Sequence, residues 1–218
     1  MLSQTEENYL KALFHLTEEY ADKPEAGTNE LAAMLNVKPA TANDMLKKLK
    51  EKKLIHYEKY GKISLTSLGK KQAIDIVRKH RLWETFLYEK LEFTWDEVHE
   101  VAEQLEHIHS PKLIEKLEKF LGYPLIDPHG DAIPNAKGEL KLQARKTLSQ
   151  IAVGKTCKLV AVRDNSATFL QYVVSVGLGL SSKIKVLNRQ EFDGTMEIEV
   201  NGKKSSVSER FANNIFVA

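Results

Sequence analysis

A single cysteine, Cys157, stands in a chain of 218 residues. An internal disulfide and a multi-cysteine zinc site are therefore excluded. Leu159, Val160 and Val162 around it suggest a strand, on which a small thiol is expected to be buried. No apolar run approaches the ~20 residues a membrane span needs. The segment after Met1 is polar and lacks a signal-peptide core, so the chain reads as cytoplasmic. Internal repeats and low-complexity tracts are missing. So are H-E-x-x-H, G-x-S-x-G and a P-loop, and no nucleophile lies beside the polar clusters described below. These absences argue against a hydrolase, or any enzyme acting on a small-molecule substrate.

What the chain does have is an uneven charge distribution, hidden by a net charge of +2. Lys38 to Lys71 holds ten lysines against Asp44, Glu51 and Glu58. Glu84 to Glu118 holds ten acids against Lys90, Lys112 and Lys116. The first segment can attract a polyanion and the second cations, although such a layout also arises by accident.

Three sections follow from the patterning: 1–74, 75–140 and 148–218, with "NAKGELKLQARKTLSQ" as the linker before the last. In the first, "TEENYLKALFHLTEEY" is an amphipathic helix with Tyr9, Leu10, Leu13, Phe14 and Leu16 inward, broken by "DKPEAG". Thr28 reads as the N-cap of a short helix burying Leu31, Ala32 and Leu35. A tight turn at Asn36 and Val37 leads to a second helix with Pro39 in its first turn. That helix buries Ala42, Met45, Leu46 and Leu49 and turns Lys38, Thr41, Asn43, Lys47 and Lys48 outward. "LIHYEKYGKISLTSLGKK" then reads as strand, turn at Gly61, strand, and a helix starting at Thr66/Ser67. A helix-turn-helix followed by a basic hairpin is a winged helix. Its second helix enters a major groove, and the wing brings Lys59 and Lys62 near phosphates. The alternative is a helical packing unit with a solvated lysine face.

The second section is helical. Thr94 and Glu97 form a T-x-x-E capping box, and Ser110-Pro111 ends one helix and starts the next. Its leftover apolar faces suggest a dimer interface. The third section, with "CKLVAVRD", "TFLQYVVSV", "KIKVLNRQ", "TMEIEVNG" and "SSVSERFANNIFVA", reads as short β-rich runs of a small SH3-like barrel.

In "VHEVAEQLEHIH", His99, Glu103, Glu106 and His107 fall within roughly 100° of one another on a helix, opposite Val98, Val101, Ala102, Leu105 and Ile108. His80 and Glu84, at i and i+4, form a similar pair on the preceding helix. Imidazole and carboxylate ligands without thiolate suit Mn2+, Fe2+, Co2+ or Zn2+; the alternative is a solvated acidic helix. "IDPHGDAIP" adds Asp127, His129 and Asp131 in one turn, which read alone is either a polar surface turn or a ligand site.

With these motifs in hand, the chain resembles the metal-dependent repressors of the diphtheria-toxin-repressor and manganese-transport-regulator type. The resemblance covers nearly the whole chain: winged helix, "RKHRLWE", "VHEVAEQLEH" and an SH3-like C-terminal domain of the FeoA type. It implies a homodimeric, metal-activated repressor of metal-homeostasis genes, binding a double-stranded operator through Lys38, Pro39, Ala40, Thr41, Asn43, Lys47, Lys48 and the wing. It implies regulatory ligands at Glu103, Glu106 and His107. Glu103, where iron-sensing members have cysteine, implies a manganese-type protein, with Fe2+ as the alternative effector. Asn8 stands where the family has methionine or aspartate, next to Glu6 and Glu7. A second site is implied at His80, Glu84 and His99, extended by Asp127 and His129 of the turn and by Asp164 of the C-terminal domain. A winged-helix regulator with a non-metal effector stays open as the other reading.

Overall fold

The computed structural model describes residues 2–19, 24–58, 62–140 and 145–218. The described residues form two compact units. The first comprises Met1–His80, Gln104–Ile114 and Pro134–Leu142; the second comprises Arg81–Glu103, Glu115–Ile133 and Gln143–Ala218.

The first unit opens with α1 (Gln4–Phe14), which continues as a π-helical turn, His15–Glu19. Ser3 caps it. Its hydroxyl accepts the Glu6 N–H, and the Glu6 carboxylate accepts the Ser3 N–H at 2.9 Å. Helix α2 (Thr28–Met34) begins at Thr28, one residue earlier than the capping expectation. Gly27 is the cap, and its N–H is taken by Glu30 at 3.3 Å. The turn into α3 (Pro39–Glu51) needs a left-handed residue, which Asn36 supplies at φ +51°. Pro39 occupies the first helical position, where its missing N–H costs nothing.

Strand β1 (Ala26–Gly27), β2 (Ile55–Tyr57) and β3 (Lys62–Leu65) form an antiparallel sheet in the order β1-β3-β2. His56 faces Ser64 and Tyr57 faces Ile63. The expected turn at Gly61 and the expected contact residue Lys59 lie outside the described residues, as does the end of the segment "TEEY". The core beneath is built from Leu10, Leu13, Phe14, Leu31, Leu46, Leu49 and Ile63. Each such side chain contributes about 1.5–3 kcal/mol on burial. Helix α4 (Ser67–Leu91) starts where Thr66 caps it, accepting the Gly69 N–H at 3.0 Å. At Gly69 a Cβ would lie 1.9 Å from the Leu54 carbonyl oxygen, so the backbones meet where only glycine fits.

Helices α5 (Val98–Leu105) and α6 (Pro111–Phe120) follow. Glu97 accepts the Thr94 N–H, as a capping box predicts, but the Thr94 hydroxyl donates to the same carboxylate instead of accepting the Glu97 N–H, and a turn intervenes before α5. Glu106 and His107 lie in a turn past the last residue of α5. The single-helix face expected for His99, Glu103, Glu106 and His107 therefore breaks after Leu105.

The second unit contains the antiparallel six-stranded sheet β4-β9-β5-β6-β7-β8. Its strands are β4 (Lys146–Thr147), β5 (Thr156–Val162), β6 (Lys183–Arg189), β7 (Met196–Val200), β8 (Lys203–Val207) and β9 (Ile215–Val217). Irregular registers at Leu159/Ala161 and Val186/Asn188 bend it. Cys157 is buried on β5, as expected. The β-rich reading of "TFLQYVVSV" is overturned: this stretch is helix α7 (Ala167–Ser175). Leu170 and Val173 recur at helical spacing and are buried, while Thr168, Gln171, Tyr172 and Val174 are exposed. A short α8 (Glu209–Asn213) likewise interrupts the last run. The expected linker is more ordered than a linker. Asn135 accepts the N–H groups of Lys137 and Glu139, and β4 and a 3-10 turn, Leu148–Gln150, fall inside the stretch. Its residues 141–144 lie outside the described residues.

Candidate metal centres

In the first unit, polar side chains gather around Glu106, which is 0% exposed. Its Oε2 accepts from Lys11 Nζ at 2.8 Å and from His80 Nδ1 at 2.6 Å. Burial would raise the Glu106 pKa, but the His80 hydrogen bond and the Lys11 charge outweigh it and hold the carboxyl below its usual value. His107 Nδ1 lies 2.6 Å from the Glu7 carboxylate, and its Nε2 lies 3.9 Å from Glu106 Oε1. His109 Nε2 is 3.5 Å from Glu7. Two buried oxygens here have no hydrogen-bond partner, Glu106 Oε1 and Asn8 Oδ1. Unpaired buried acceptors are costly, and a bound cation or a water would satisfy them.

In the second unit, the turn "IDPHGDAIP" is no surface feature. Asp127, His129 and Asp131 are all buried. Asp127 Oδ1 accepts the N–H groups of His129 and Asp131 at 2.8 and 2.9 Å, and Ile126 bridges Ala132. The His129 N–H and C=O are both used, the latter by Val162 N–H at 3.1 Å. Gly130 sits at φ +88°, and a Cβ there would lie 2.0 Å from the Val160 carbonyl oxygen.

The His129 ring stacks on Trp95, with centroids 5.7 Å apart and planes at 23°. Its Nε2–H donates to the Trp95 carbonyl at 3.0 Å, while the Trp95 indole N–H donates to the Pro128 carbonyl. With Nε2–H committed to a backbone carbonyl, Nδ1 is the ring atom turned to the cluster, and it must give up its proton before it can hold an ion. Nδ1 is buried 3.5 Å from the Glu84 carboxylate, an ion-pair separation too long for a good hydrogen bond. Glu84, Asp127 and His129 each offer one ligand atom, all within 4.8 Å of one another. Glu84 also takes His99 Nδ1 at 3.1 Å, and His99 Nε2 lies 3.8 Å from Glu103. Burial pushes Asp127 up to about 7, helped by the Glu84 and Asp131 charges. Burial pushes His129 down, but Glu84 outweighs it and the ring rises to about 9. This one-imidazole, two-carboxylate set fits a divalent transition ion.

Asp164 is not in this cluster. It is half-buried, and its Oδ1 accepts the Ser166 N–H at 2.9 Å, an Asx turn leading into α7. Sequence reasoning missed four supporting residues. Arg81 faces Asp127 at 3.4 Å and Asp131 at 3.6 Å, and Arg145 binds Asp131 at 2.9 Å and the Gly130 carbonyl at 2.7 Å. Lys11 and Trp95 are the others. Arg81 had a visible signal inside "RKHRLWE"; Arg145 stood in the expected linker and had none.

Lys38, which caps α3, and Pro39, Ala40, Thr41, Lys47 and Lys48 along it are exposed. Asn43 is half-buried, and its side-chain oxygen accepts the Tyr57 hydroxyl. Lys47 pairs with Asp44 at 2.9 Å, and Lys62 of the hairpin pairs with Glu25 at 3.1 Å.

A winged helix joined to imidazole–carboxylate clusters defines a class: DNA-binding regulators that respond to a metal ion. Residues 1–63 match the iron dependent repressor N-terminal DNA binding domain, 66–135 its metal binding and dimerisation domain, and 146–218 the FeoA domain. An uncharacterised HTH-type transcriptional regulator of Methanocaldococcus jannaschii is 36% identical over 120 residues, 55% of this chain and 94% of that protein. The iron-dependent repressor IdeR of Mycobacterium tuberculosis is 31% identical over 133 residues, 61% of this chain and 56% of that protein. A manganese-dependent transcriptional repressor in complex with manganese superposes with a TM-score of 0.89 at 34% identity, covering 98% of this chain and 99% of that one. ScaR with bound Cd2+ superposes at 0.82 and 34%, covering 98% of each chain. The chain belongs to this family of metal-dependent transcriptional repressors, which act by binding DNA and are not enzymes.

Proposed function

We propose that this protein is a homodimeric repressor activated by Mn2+, with Fe2+ as the alternative effector, that binds a duplex operator and controls metal-homeostasis genes. The observation that carries the metal reading is the buried convergence of His129 Nδ1, 3.5 Å from Glu84, with Glu84 and Asp127, the ring being held by Trp95 through Nε2. Two carboxylates and one imidazole are a hard-to-borderline set that suits Mn2+ and Fe2+. The similar repressors, in complex with manganese or with bound Cd2+ or Zn2+, support a divalent ion.

Glu84, Asp127 and His129 would hold one ion, with His99 oriented on Glu84. Asn8, Glu106 and His107 would be ligands in the first unit, with His80 holding Glu106; Glu103 is kept as a ligand on the family resemblance. Asp164 would serve only after leaving its Asx turn. A bound divalent ion supplies the positive charge that buried, converging carboxylates lack. By linkage, the conformer that binds DNA must be the one whose ligands converge best. Thr41, Lys47 and Lys48 of α3 would meet bases and phosphates, with Asn43 able to offer only its amide N–H groups. Pro39 and Ala40 would touch thymine methyls, and Lys38, Lys59 and Lys62 would meet the backbone.

The test is fluorescence anisotropy on the protein's own upstream DNA, titrating Mn2+ and, without oxygen, Fe2+, against a chelator control. Affinity that rises with Mn2+ and is lost in Glu106→Ala supports the reading. DNA binding indifferent to every metal would leave a winged-helix regulator with another effector.

A further inference from the structure

We infer that Lys11 is a resident cation, competing with an incoming divalent ion for Glu106 and so setting the metal concentration at which the first-unit cluster fills. The inference rests on that cluster being a metal site, as proposed above.

Lys11 lies one helical turn after Asn8 on α1, so both side chains leave the same face. Its ammonium meets Glu106 Oε2 at 2.8 Å, with the lysine side chain 10% exposed and the glutamate 0%. A carboxylate removed fully from water requires a counter-charge, and here the protein carries its own. The same Oε2 also receives His80 at 2.6 Å. That oxygen therefore faces two donors, while Glu106 Oε1, 3.9 Å from His107 Nε2, and Asn8 Oδ1 make no hydrogen bond. The arrangement is half closed: one edge of Glu106 is satisfied by lysine, and the other is open to a cation.

Lys11 must release Oε2 before both Glu106 oxygens can face an ion. If it stays, a fixed positive charge remains beside the ion. Either course weakens metal binding relative to a neutral side chain of the same length. A lysine suits this role, because its point charge rides on a flexible four-carbon stem and its small exposed edge offers a way out to water. The ammonium also keeps Glu106 compensated when metal is scarce, so the metal-free protein is not left with a bare buried charge.

The experiment is isothermal titration of Mn2+ into the full chain, with free Mn2+ followed in parallel by electron paramagnetic resonance. A His129→Gln background silences the second-unit cluster. On that background Lys11→Met should bind Mn2+ about tenfold more tightly or better, given the charge removed at contact distance. Lys11→Arg, which keeps the charge, should stay near the parent. Lys11→Gln serves if the methionine variant does not fold, and circular dichroism melts decide that. The metal-free Lys11→Met protein should melt below its parent and regain the difference with Mn2+. Equal or weaker affinity in Lys11→Met and Lys11→Gln, with the parent binding normally, overturns the role of Lys11 alone. No Mn2+ uptake by the wild type and all variants overturns both this inference and the metal-response reading.

Discussion

His129 shows how one residue can carry a cluster. Its ring is clamped by stacking on Trp95 and by a bond to the Trp95 carbonyl, so little freedom is left to lose when a ligand arrives. In the metal-free protein its pKa of about 9 and that of Asp127, about 7, both exceed their ordinary values. The folded state therefore binds more protons than the unfolded chain, and stability must fall as pH rises. For His129 the loss runs from its ordinary 6.5 to about 9, and for Asp127 from 3.8 to about 7. Metal ligands must be deprotonated, so ion binding moves the other way and tightens over the same range. Calorimetric Mn2+ titrations without oxygen at pH 6.5 and 8 should show tighter binding at the higher pH, with proton release revealed by changing the buffer. A pH-independent affinity would mean that His129 gives up no proton. The turn beneath makes a second demand. Gly130→Ala forces a side chain into φ +88° and onto the Val160 carbonyl. It should cost on the order of 2–3 kcal/mol or more, measured by chemical denaturation, and should weaken Mn2+ binding by moving His129.

Elements differ in how plainly the sequence announces them. Helices α1, α3 and α4 follow apolar positions at helical spacing and begin at residues that suit a helix start: Ser3 with Glu6, Pro39 in the first turn, Thr66. Helix α7 was hidden, because Val, Phe and Tyr favour strands and only the burial of Leu170 and Val173 sets the period. The site was legible in part. Glu106, His107, Glu84, Asp127 and His129 stood out as ligand types in motifs. The clamps Trp95 and Arg145 act across long sequence separations, and no local pattern encodes them. Asp164 looked like a ligand because a turn aspartate and a ligating aspartate share a sequence. Helix α3, proposed to read DNA, yields a sharper contrast. Lys47 is tied to Asp44, whereas among the described residues no such pair holds Lys48, and both are exposed. Lys48→Ala should lower the slope of log K against log salt by about 1 per protomer. Lys47→Ala should lower it less, because Asp44 has already neutralised part of that charge; an equal loss in both would show that the pair opens on DNA.

At the scale of the whole molecule, the described residues leave a band of apolar side chains uncovered in the second unit. Phe120 is 65% exposed, Leu125 81%, and Tyr123 and Ile126 more than half. Scattered apolar residues on a surface are ordinary, but four within seven positions call for a cover. The band falls inside the stretch that matches a metal binding and dimerisation domain, and a second copy of the chain is the cover we expect. The consequence for DNA binding is large. One winged helix makes few base contacts, and affinity for an operator comes from two of them held a helical turn apart, so that the second contact is nearly intramolecular. A charge in the band should separate the copies and lose that gain. Leu125→Asp or Phe120→Asp should sediment as a monomer at micromolar concentration, keep the far-ultraviolet dichroism of the parent, and bind a two-half-site operator at least tenfold more weakly. The same variants should bind an isolated half-site as the parent does. A dimer that survives both substitutions would place the interface elsewhere on the chain, and weak half-site binding would mean that the winged helix itself had been damaged.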